Sequence, residues 1–411
     1  VVSELELSVT GGNNFKVRDR FARFGNVQTL LTMLHRFGDF RTAEDLQLPV
    51  PALARRPDGK RLPAILTLDP TPELRGYISA LGDRADAVAM RSVRPDEDNM
   101  LKISSDGRKA ALDMRLVQPG TPSGTTKIDA VADLVARTWE QTRDNVYLDP
   151  TTGEESPVRG ALQLVFCDMG VPGDKWNVYA TLRDELHARG LPEGSVRFAH
   201  EARNDAEKGR LFAACRAGHV AVLIGSTGKM GVGTNVQARA VHLVDMDAPW
   251  RPADVEQRHG RIIRQGNQNP EVAITQVVTG HSFDAYMWQT LEYKSKFIAQ
   301  VLSGKMTGVN EIEEIGSDTL SFAEVKALAS GNPLLLERAK ATQELAKYQR
   351  LKSAHLANQR SLTGTVSMSG RDLETTRQLI PVMDAAATTV VSTRAEAFAA
   401  RIEGHLYTSR S

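Results

Sequence analysis

The chain has 411 residues, enough for two or three domains each with its own core. Hydrophobic residues make up 41% and charged residues 25%, ordinary values for globular protein, and 51 Lys plus Arg against 50 Asp plus Glu leave no overall basic excess. Any nucleic-acid surface therefore has to be a local patch.

Two cysteines, Cys167 and Cys215, have no CxxC spacing and no neighbouring His pair. They read as buried free thiols, which argues against a structural zinc site and suits a reducing, cytoplasmic location. No apolar run approaches the length needed to span a bilayer, so no membrane partner is expected. The opening VVSELELSVTGG lacks the basic and apolar regions of a secretory signal, and it begins with Val rather than Met. A piece of a longer polypeptide is the expectation, although processing gives the same start.

Residues 1–120 read as a mixed region broken by Pro and Gly. Helices are expected from Asn26 to Arg36 and from Pro72 to Val88. Between them LPVPALARRPDGKRLPAIL holds four prolines and cannot be one regular element, while AILTL is short, apolar and β-compatible.

From 121 to 303 strands and helices alternate. Thr126 to Glu140 places Ile128, Val131, Leu134, Val135 and Trp139 at helical spacing. LQLVFC (162–167) is a continuous apolar run, as for a strand buried on both faces. Helix 175–189, strand 196–199, helix 205–217 and strand 220–224 follow. After a Gly-rich turn come strand 241–245, helix 253–264, strand 272–278 and a helix from Phe283 to Leu302. Five such strands make one open, doubly wound parallel α/β domain.

Residues 304–411 read as a helical extension without strands. Short helical pieces are expected over Glu311 to Ile315 and Phe322 to Ser330. A charged helix over 333–360 puts Leu335, Ala339, Leu345, Tyr348 and Leu351 on a stripe. A second helix over 370–404, after Ser369 and Gly370, is expected to fold back on it as an antiparallel pair.

The strongest chemical signal is QRHGRIIRQG, Gln257 to Gly266. On the expected helix Arg261 and Arg264 share one face, and Gln257, four residues before Arg261, shares that side. Two guanidiniums aimed together suit the charge of a transferring phosphoryl group. Alone, such a pair also describes a solvated basic helix. Upstream, GSTGKMGVGTN (Gly225 to Asn235) packs four glycines into eleven residues, which allows close approach of backbone to a ligand or simply a tight turn. It is not a phosphate loop: Gly228 and Lys229 are followed by Met230, and Leu223 stands where the first glycine belongs. The chain contains no GxxxxGK[ST] at all and no DEAH-like acidic box after a strand, since PDEDN (95–99) is acidic but sits in a Pro-flanked loop.

In order and placement these segments resemble the C-terminal RecA-like lobe of superfamily-two helicases, especially the Swi/Snf-like branch. LQLVFCD (162–168) corresponds to that family's motif IV and STGKMGVGTNVQ (226–237) to motif V. QRHGRIIRQG corresponds to motif VI, SGTTKIDAVADLV (123–135) to the lead-in helix, and DMDAPWRPADVE to the link between the last two motifs. The resemblance implies arginine fingers at Arg261 and Arg264 with Gln257 beside them, and Gly231, Gly233 and Gly260 near the nucleotide. It also implies DNA-backbone contacts from Thr227, Lys229, Thr234 and Asn235. Lys294 and Lys296, and His200 with Arg203, are further candidates for the same groove. ATP and Mg²⁺ would be held mainly by a first lobe absent from this chain, so the expected partners are DNA and that lobe. Segments 98–117, 282–305 and 320–337 resemble parts of very large helicase–methylase polypeptides of phages, plasmids and genomic islands, linked to DNA modification or antirestriction. GNPL (331–334) lacks the second proline and the aromatic of an adenine-methylase motif. The alternative reading is a non-catalytic DNA-binding or protein-docking module of such a system.

Overall fold

A computed structural model describes residues 2–7, 15–20, 23–25, 33, 36–38, 48–121, 126–149, 152–173, 176–231, 233, 235–302, 311–313, 333–390 and 398–408. The chain divides into two compact units, Val1–Leu336 and Glu337–Ser411.

In the first unit, β1 (Val2–Leu7) and β2 (Phe15–Arg20) form an antiparallel ribbon, and β3 (Arg23–Gly25) pairs with β11 (Glu311–Glu313). The main sheet is all parallel. Its strands are β4 (Ala52–Leu53), β5 (Ala64–Leu68), β6 (Leu162–Phe166), β7 (Val196–Phe198), β8 (Val222–Gly225), β9 (Ala240–Asp245) and β10 (Glu271–Thr279). The order is β4-β10-β9-β6-β8-β7, and β5 also pairs with β10, beyond the short β4 contact. Around it run α1 (Pro72–Ala89), α2 (Met100–Leu112), α3 (Lys127–Thr142), α4 (Val178–Ala188), α5 (Asp205–Ala217), the single turn α6 (Thr227–Met230), α7 (Pro252–His259) and α8 (Phe283–Leu302).

Side-chain alternation assigns the two faces. Val165, Val222, Ile224, Val244 and Val277 point to the layer of α3 and α4, meeting Val131, Val135, Tyr179 and Leu182. Leu162, Leu164, Phe166, Leu223, Leu243 and Ile274 point the other way, onto Leu211, Phe212 and Cys215 of α5 and onto Met230 and Ile262. A sheet covered on both sides explains why its strands read as continuous apolar runs. The architecture is the open parallel α/β arrangement, with helices on both faces, that the strand–helix alternation predicts.

Local signals set the helix starts. Thr126 caps α3 in a reciprocal capping box with Asp129, and Asn177 and Asn204 cap α4 and α5. α5 stops at Gly218, whose φ of 92° is the left-handed conformation glycine adopts without strain.

Several expectations change. The sheet has seven strands rather than five, because β4 and β5 come from the Pro-rich stretch of the region set apart as 1–120. α2 from the same region packs on α8 so closely that a Cβ at Gly107 would lie 2.6 Å from the Phe283 ring. Glu311–Glu313 is strand, not helix, and β12 (Ala400–Ile402) with β13 (His405–Tyr407) forms a hairpin where a helix was expected. In place of an antiparallel pair, α9 runs unbroken over Pro333–Thr389, straight through Gly364, Ser369 and Gly370. Glycine lowers helix propensity without ending a helix, so Ser369 and Gly370 were no stop signal. The expected helix over Asn26 to Arg36 (apart from Met33 and Arg36, which are helical) and the piece over Phe322 to Ser330 lie outside the described residues. Among the described residues no helix is long and apolar enough to cross a membrane.

Candidate functional site

In open parallel sheets the loops that leave the carboxyl ends of the strands meet in a crevice, and here that crevice is filled by charge. β6 leads to Asp168, β8 leads into Ser226 and Thr227, and β9 ends at Asp245, with Asp247 two residues on. Arg258 reaches into their midst from α7. Its side chain is fully buried, and it makes five hydrogen bonds. Nε donates to Thr227 Oγ1 at 2.8 Å, and Nη1 donates to Asp245 Oδ1 at 3.0 Å and to the Asp247 carbonyl at 2.8 Å. Nη2 donates to Asp168 Oδ2 at 2.8 Å and to Asp247 Oδ1 at 3.1 Å. The guanidinium has five N–H donors in a rigid fork, and every one is used.

The carboxylates are held in turn. Asp247 Oδ2 accepts the backbone N–H groups of Asp168 and Met169 at 2.7 and 3.0 Å. Asp168 accepts the Thr227 N–H at 2.6 Å and the Thr227 hydroxyl at 3.0 Å. His259 Nε2 lies 2.8 Å from Asp245 Oδ2. Burial opposes ionisation of Asp245, but His259 and Arg258 outweigh it and hold its carboxyl below the usual range. Burial pushes Asp247 up, against the pull of Arg258 and with the push of Asp168. One guanidinium thus organises three acids, and the acid excess falls on Asp247.

Neighbouring contacts fix the frame of this cluster. Arg108 on α2 donates to the Ala248 carbonyl and stacks 4.1 Å over the Trp250 ring, which pins the DAPWRP turn. Lys127 at the start of α3 donates to the carbonyls of Met246 and Val277 at 3.2 and 3.1 Å and pairs with buried Asp284.

The residues singled out from sequence divide into three groups. Gln257, Gly231 and Arg261 come together: Arg261 Nη2 donates to the Gly231 carbonyl, and a Cβ on Gly231 would lie 3.1 Å from Gln257 Oε1 and 2.3 Å from the Thr227 carbonyl. Gly231 has a φ of −70°, so it is needed there for space rather than for an unusual dihedral. Arg261 and Arg264 do not share a helix face, because α7 ends at His259 and Gly260 caps it. Both lie in the turn that follows, Arg261 half-buried and Arg264 exposed. Burial and the positive charge of Arg264 together lower the pKa of Arg261, so the two guanidiniums do feel each other.

Thr227 belongs to a second group, turned inward. Its hydroxyl donates to Asp168 and accepts from Arg258, which leaves it no free hydrogen for a phosphate oxygen and corrects its assignment as a surface contact. The third group faces solvent: Lys229, Gly233 (φ 69°), Asn235 and Gly260 are exposed. His200 Nε2 stands 3.5 Å from Ser226 Oγ at the edge of the same loop, and burial and Lys229 lower its pKa. Thr234 lies outside the described residues, as does the side chain of Lys296.

Sequence reasoning passed over Arg258, Asp168, Asp245, Asp247 and His259. A signal was available. Carboxylates at the ends of two strands buried on both faces cannot stay unpaired, and the next basic segment is the one carrying Arg258. Among the described residues no group of His, Cys, Asp and Glu side chains is arranged to hold a metal ion.

Residues 162–266 match the helicase conserved C-terminal domain. That span runs from the start of β6 to the turn after α7 and so encloses the Arg258 cluster and both of the segments singled out for their chemistry. Over 74 residues the chain is 32% identical to the defense against restriction protein B of Escherichia phage P1, a match covering 18% of this chain and 3% of that protein. Among solved structures, the C-terminal part of the Fun30 ATPase domain is similar with a TM-score of 0.37 and 12% identity, covering 68% of this chain and 98% of that one. The DUF1998 helicase MrfA bound to DNA gives a TM-score of 0.31 and 15% identity, over 42% of this chain and 21% of that one.

Proposed function

We propose that the α/β unit is the second motor lobe of an ATP-driven DNA helicase or translocase, working with an ATP-binding first lobe carried elsewhere in the parent polypeptide. The observation that carries this is the joint between the Gly-rich loop and the arginine segment. Arg258 ties α7 to Thr227, and from that anchored helix end Gln257 and Arg261 converge on Gly231 while Arg264 stands exposed beside them. Two guanidiniums delivered by a rigid scaffold suit the γ-phosphate charge that develops during phosphoryl transfer. The match of 162–266 to the helicase C-terminal domain supports the same reading.

The residues present fit half of a nucleotide site. Arg261 and Arg264 would face the phosphates, with Gln257 and the backbone around Gly231, Gly233 and Gly260 beside them. The chain lacks the lysine loop for the β- and γ-phosphates. ATP and Mg²⁺ would therefore be held mainly by the first lobe. DNA would run past the exposed end of the Gly-rich loop, where Lys229 and Asn235 offer backbone-directed, sequence-independent contacts. The short stretch shared with the phage restriction-defence protein favours a setting in DNA modification or antirestriction.

Arg261→Ala and Arg264→Ala, each made in a polypeptide that joins this chain to its first lobe, test the assignment. Each is expected to lower DNA-stimulated ATP turnover by roughly a thousandfold or more, with duplex binding within a few-fold of the parent. Unchanged turnover in both would sink the finger assignment. The isolated chain is expected to bind a short duplex in a salt-dependent way without hydrolysing ATP; salt-insensitive binding or none would favour the docking alternative.

A further inference from the structure

The C-terminal unit poses a separate problem, independent of the motor reading. Every residue of α9 from 358 to its end at Thr389 is exposed, as is Val390. The segment is poor in helix formers: it contains Gly364, Gly370, Pro381 and six threonines. Several of those threonines bond back to carbonyls four residues earlier, as Thr363 does to Gln359 and Thr375 to Arg371. A helix of this composition, exposed on every side, is covered by none of the described residues. It needs an apolar face covered.

The face is present and has a definite period. Val366, Leu373, Ile380 and Ala387 recur every seven residues. Interleaved at the complementary spacing of three and four stand Leu362, Met383 and Val390, with Ser369 and Thr376 at the two remaining positions. Val366, Met383 and Val390 are 72, 68 and 75% exposed. A seven-residue repeat over four heptads, apolar at seven of its nine positions, is the signature of two helices wound about each other, and a narrow seam of this kind matches a copy of itself. Pro381 falls on the outer side, where it meets no partner.

We infer that α9 joins two copies of this chain in a parallel, in-register coiled coil over 362–390. The flanking charges set the orientation. Asp372 precedes one core position and Arg377 follows the next, five residues on. In a parallel pair these two positions face each other across the seam, which gives opposite charges on both sides. An antiparallel pair sets each flank against its own kind. Ser369 and Thr376 stack on their own copies only in the parallel register.

The test uses the full chain. Ser369→Cys puts a thiol in the seam, where facing Cα atoms come within disulfide reach. Arg371→Cys puts one on the outer face, and native Cys167 and Cys215 are both buried. At tens of micromolar, sedimentation is expected to give twice the 45.0 kDa chain mass. On mild oxidation Ser369→Cys is expected to cross-link at least tenfold more than Arg371→Cys. The double variant Leu373→Asp and Ile380→Asp is expected to weaken association a hundredfold or more without touching the first unit. A monomeric parent chain overturns the inference. So does a dimer that Ser369→Cys fails to trap preferentially, or one that survives the double aspartate variant.

Discussion

Lys127 and Arg258 are both buried in the α/β unit, on either side of the same strand end, and they are used in opposite ways. Lys127 faces one carboxylate, Asp284, and two backbone carbonyls. Its three donors are matched one to one and its charge is balanced, so it fastens α3 to the ends of β9 and β10 and to α8. Arg258 faces three carboxylates, a hydroxyl and a carbonyl. A lysine is a compact point charge, whereas a guanidinium is a planar fork that can hold several groups in fixed directions. The first centre closes a scaffold. The second holds together the loops from which the candidate fingers and the Gly-rich turn project, and its acid excess makes it the centre with more to lose.

The largest expected effect follows from that excess. Arg258→Ala strands Asp245 and Asp247 in the interior and should cost about 5 kcal/mol in urea or thermal unfolding, at the upper end for a broken buried pair. Arg258→Lys should recover little, because one ammonium cannot reach all five acceptors. Lys127→Met strands only Asp284, which keeps a backbone donor from Thr279 at 3.1 Å. Its cost should be nearer to about 3–4 kcal/mol. Adding Asp284→Asn to that variant should restore most of the loss, whereas Asp247→Asn should restore only part of the loss in Arg258→Ala. A Lys127 variant less stable than the Arg258 variant would break the distinction between the two centres.

A third buried group sharpens it by titrating. His242 lies in β9 between Gln163 Oε1 at 3.2 Å and Thr275 Oγ1 at 3.0 Å, and burial lowers its pKa from 6.5 to about 4. A depressed folded value means the stabilising contribution is complete above pH 6.5 and is lost as pH falls towards 4. The loss amounts to about 3 kcal/mol, since a tenfold difference in proton affinity between the folded and unfolded chains is worth ~1.4 kcal/mol. His242→Gln should flatten the stability profile across that window. Asp245 is lowered as well, so its contribution is lost at still lower pH, below the ordinary carboxylate value of 3.8. A parent profile that is flat from pH 6.5 to 4 would mean His242 is not held as the structure places it.

How far the sequence foretold this molecule depends on which residues one follows. Strands β6 to β10 are legible because burial on both faces writes itself as short, largely apolar runs such as Leu162 to Phe166, where Gln163 is the one polar residue. AILTL is legible as a β-compatible segment and forms β5, but its membership of the main sheet is not, because its partner β10 lies far along the chain, and the two-residue β4 beside Pro51 is too short to show in the pattern. The candidate site was half legible. Spacing within the Gln257 to Gly266 segment identified a basic motif, yet it assumed a helix that in fact stops at His259, so Arg261 and Arg264 reach their positions through a turn. Arg258, the residue that organises the site, carries no local signal that sets it apart from the other arginines of the segment. Its burial is a property of three distant acids, and no local window contains them. The helical tail was misread for the converse reason: glycine and serine in sequence suggested a stop, although nothing in the fold makes the helix turn back.

The smallest expected effect closes the comparison. Arg264 is exposed in the turn after α7, so Arg264→Ala should leave unfolding within about 0.5 kcal/mol of the parent, as for most surface changes. Arg258, six residues earlier and inside α7, should be roughly ten times as costly. A role in phosphoryl transfer would make Arg264 matter through a ligand more than through the fold. Its loss should then appear in nucleotide turnover alone, with the unfolding midpoint as the control. An Arg264→Ala variant that unfolds several kcal/mol earlier would move this arginine into the scaffold, alongside Arg258 and Lys127. The two fingers would then reduce to Arg261, the one guanidinium of the pair that already reaches across to Gly231.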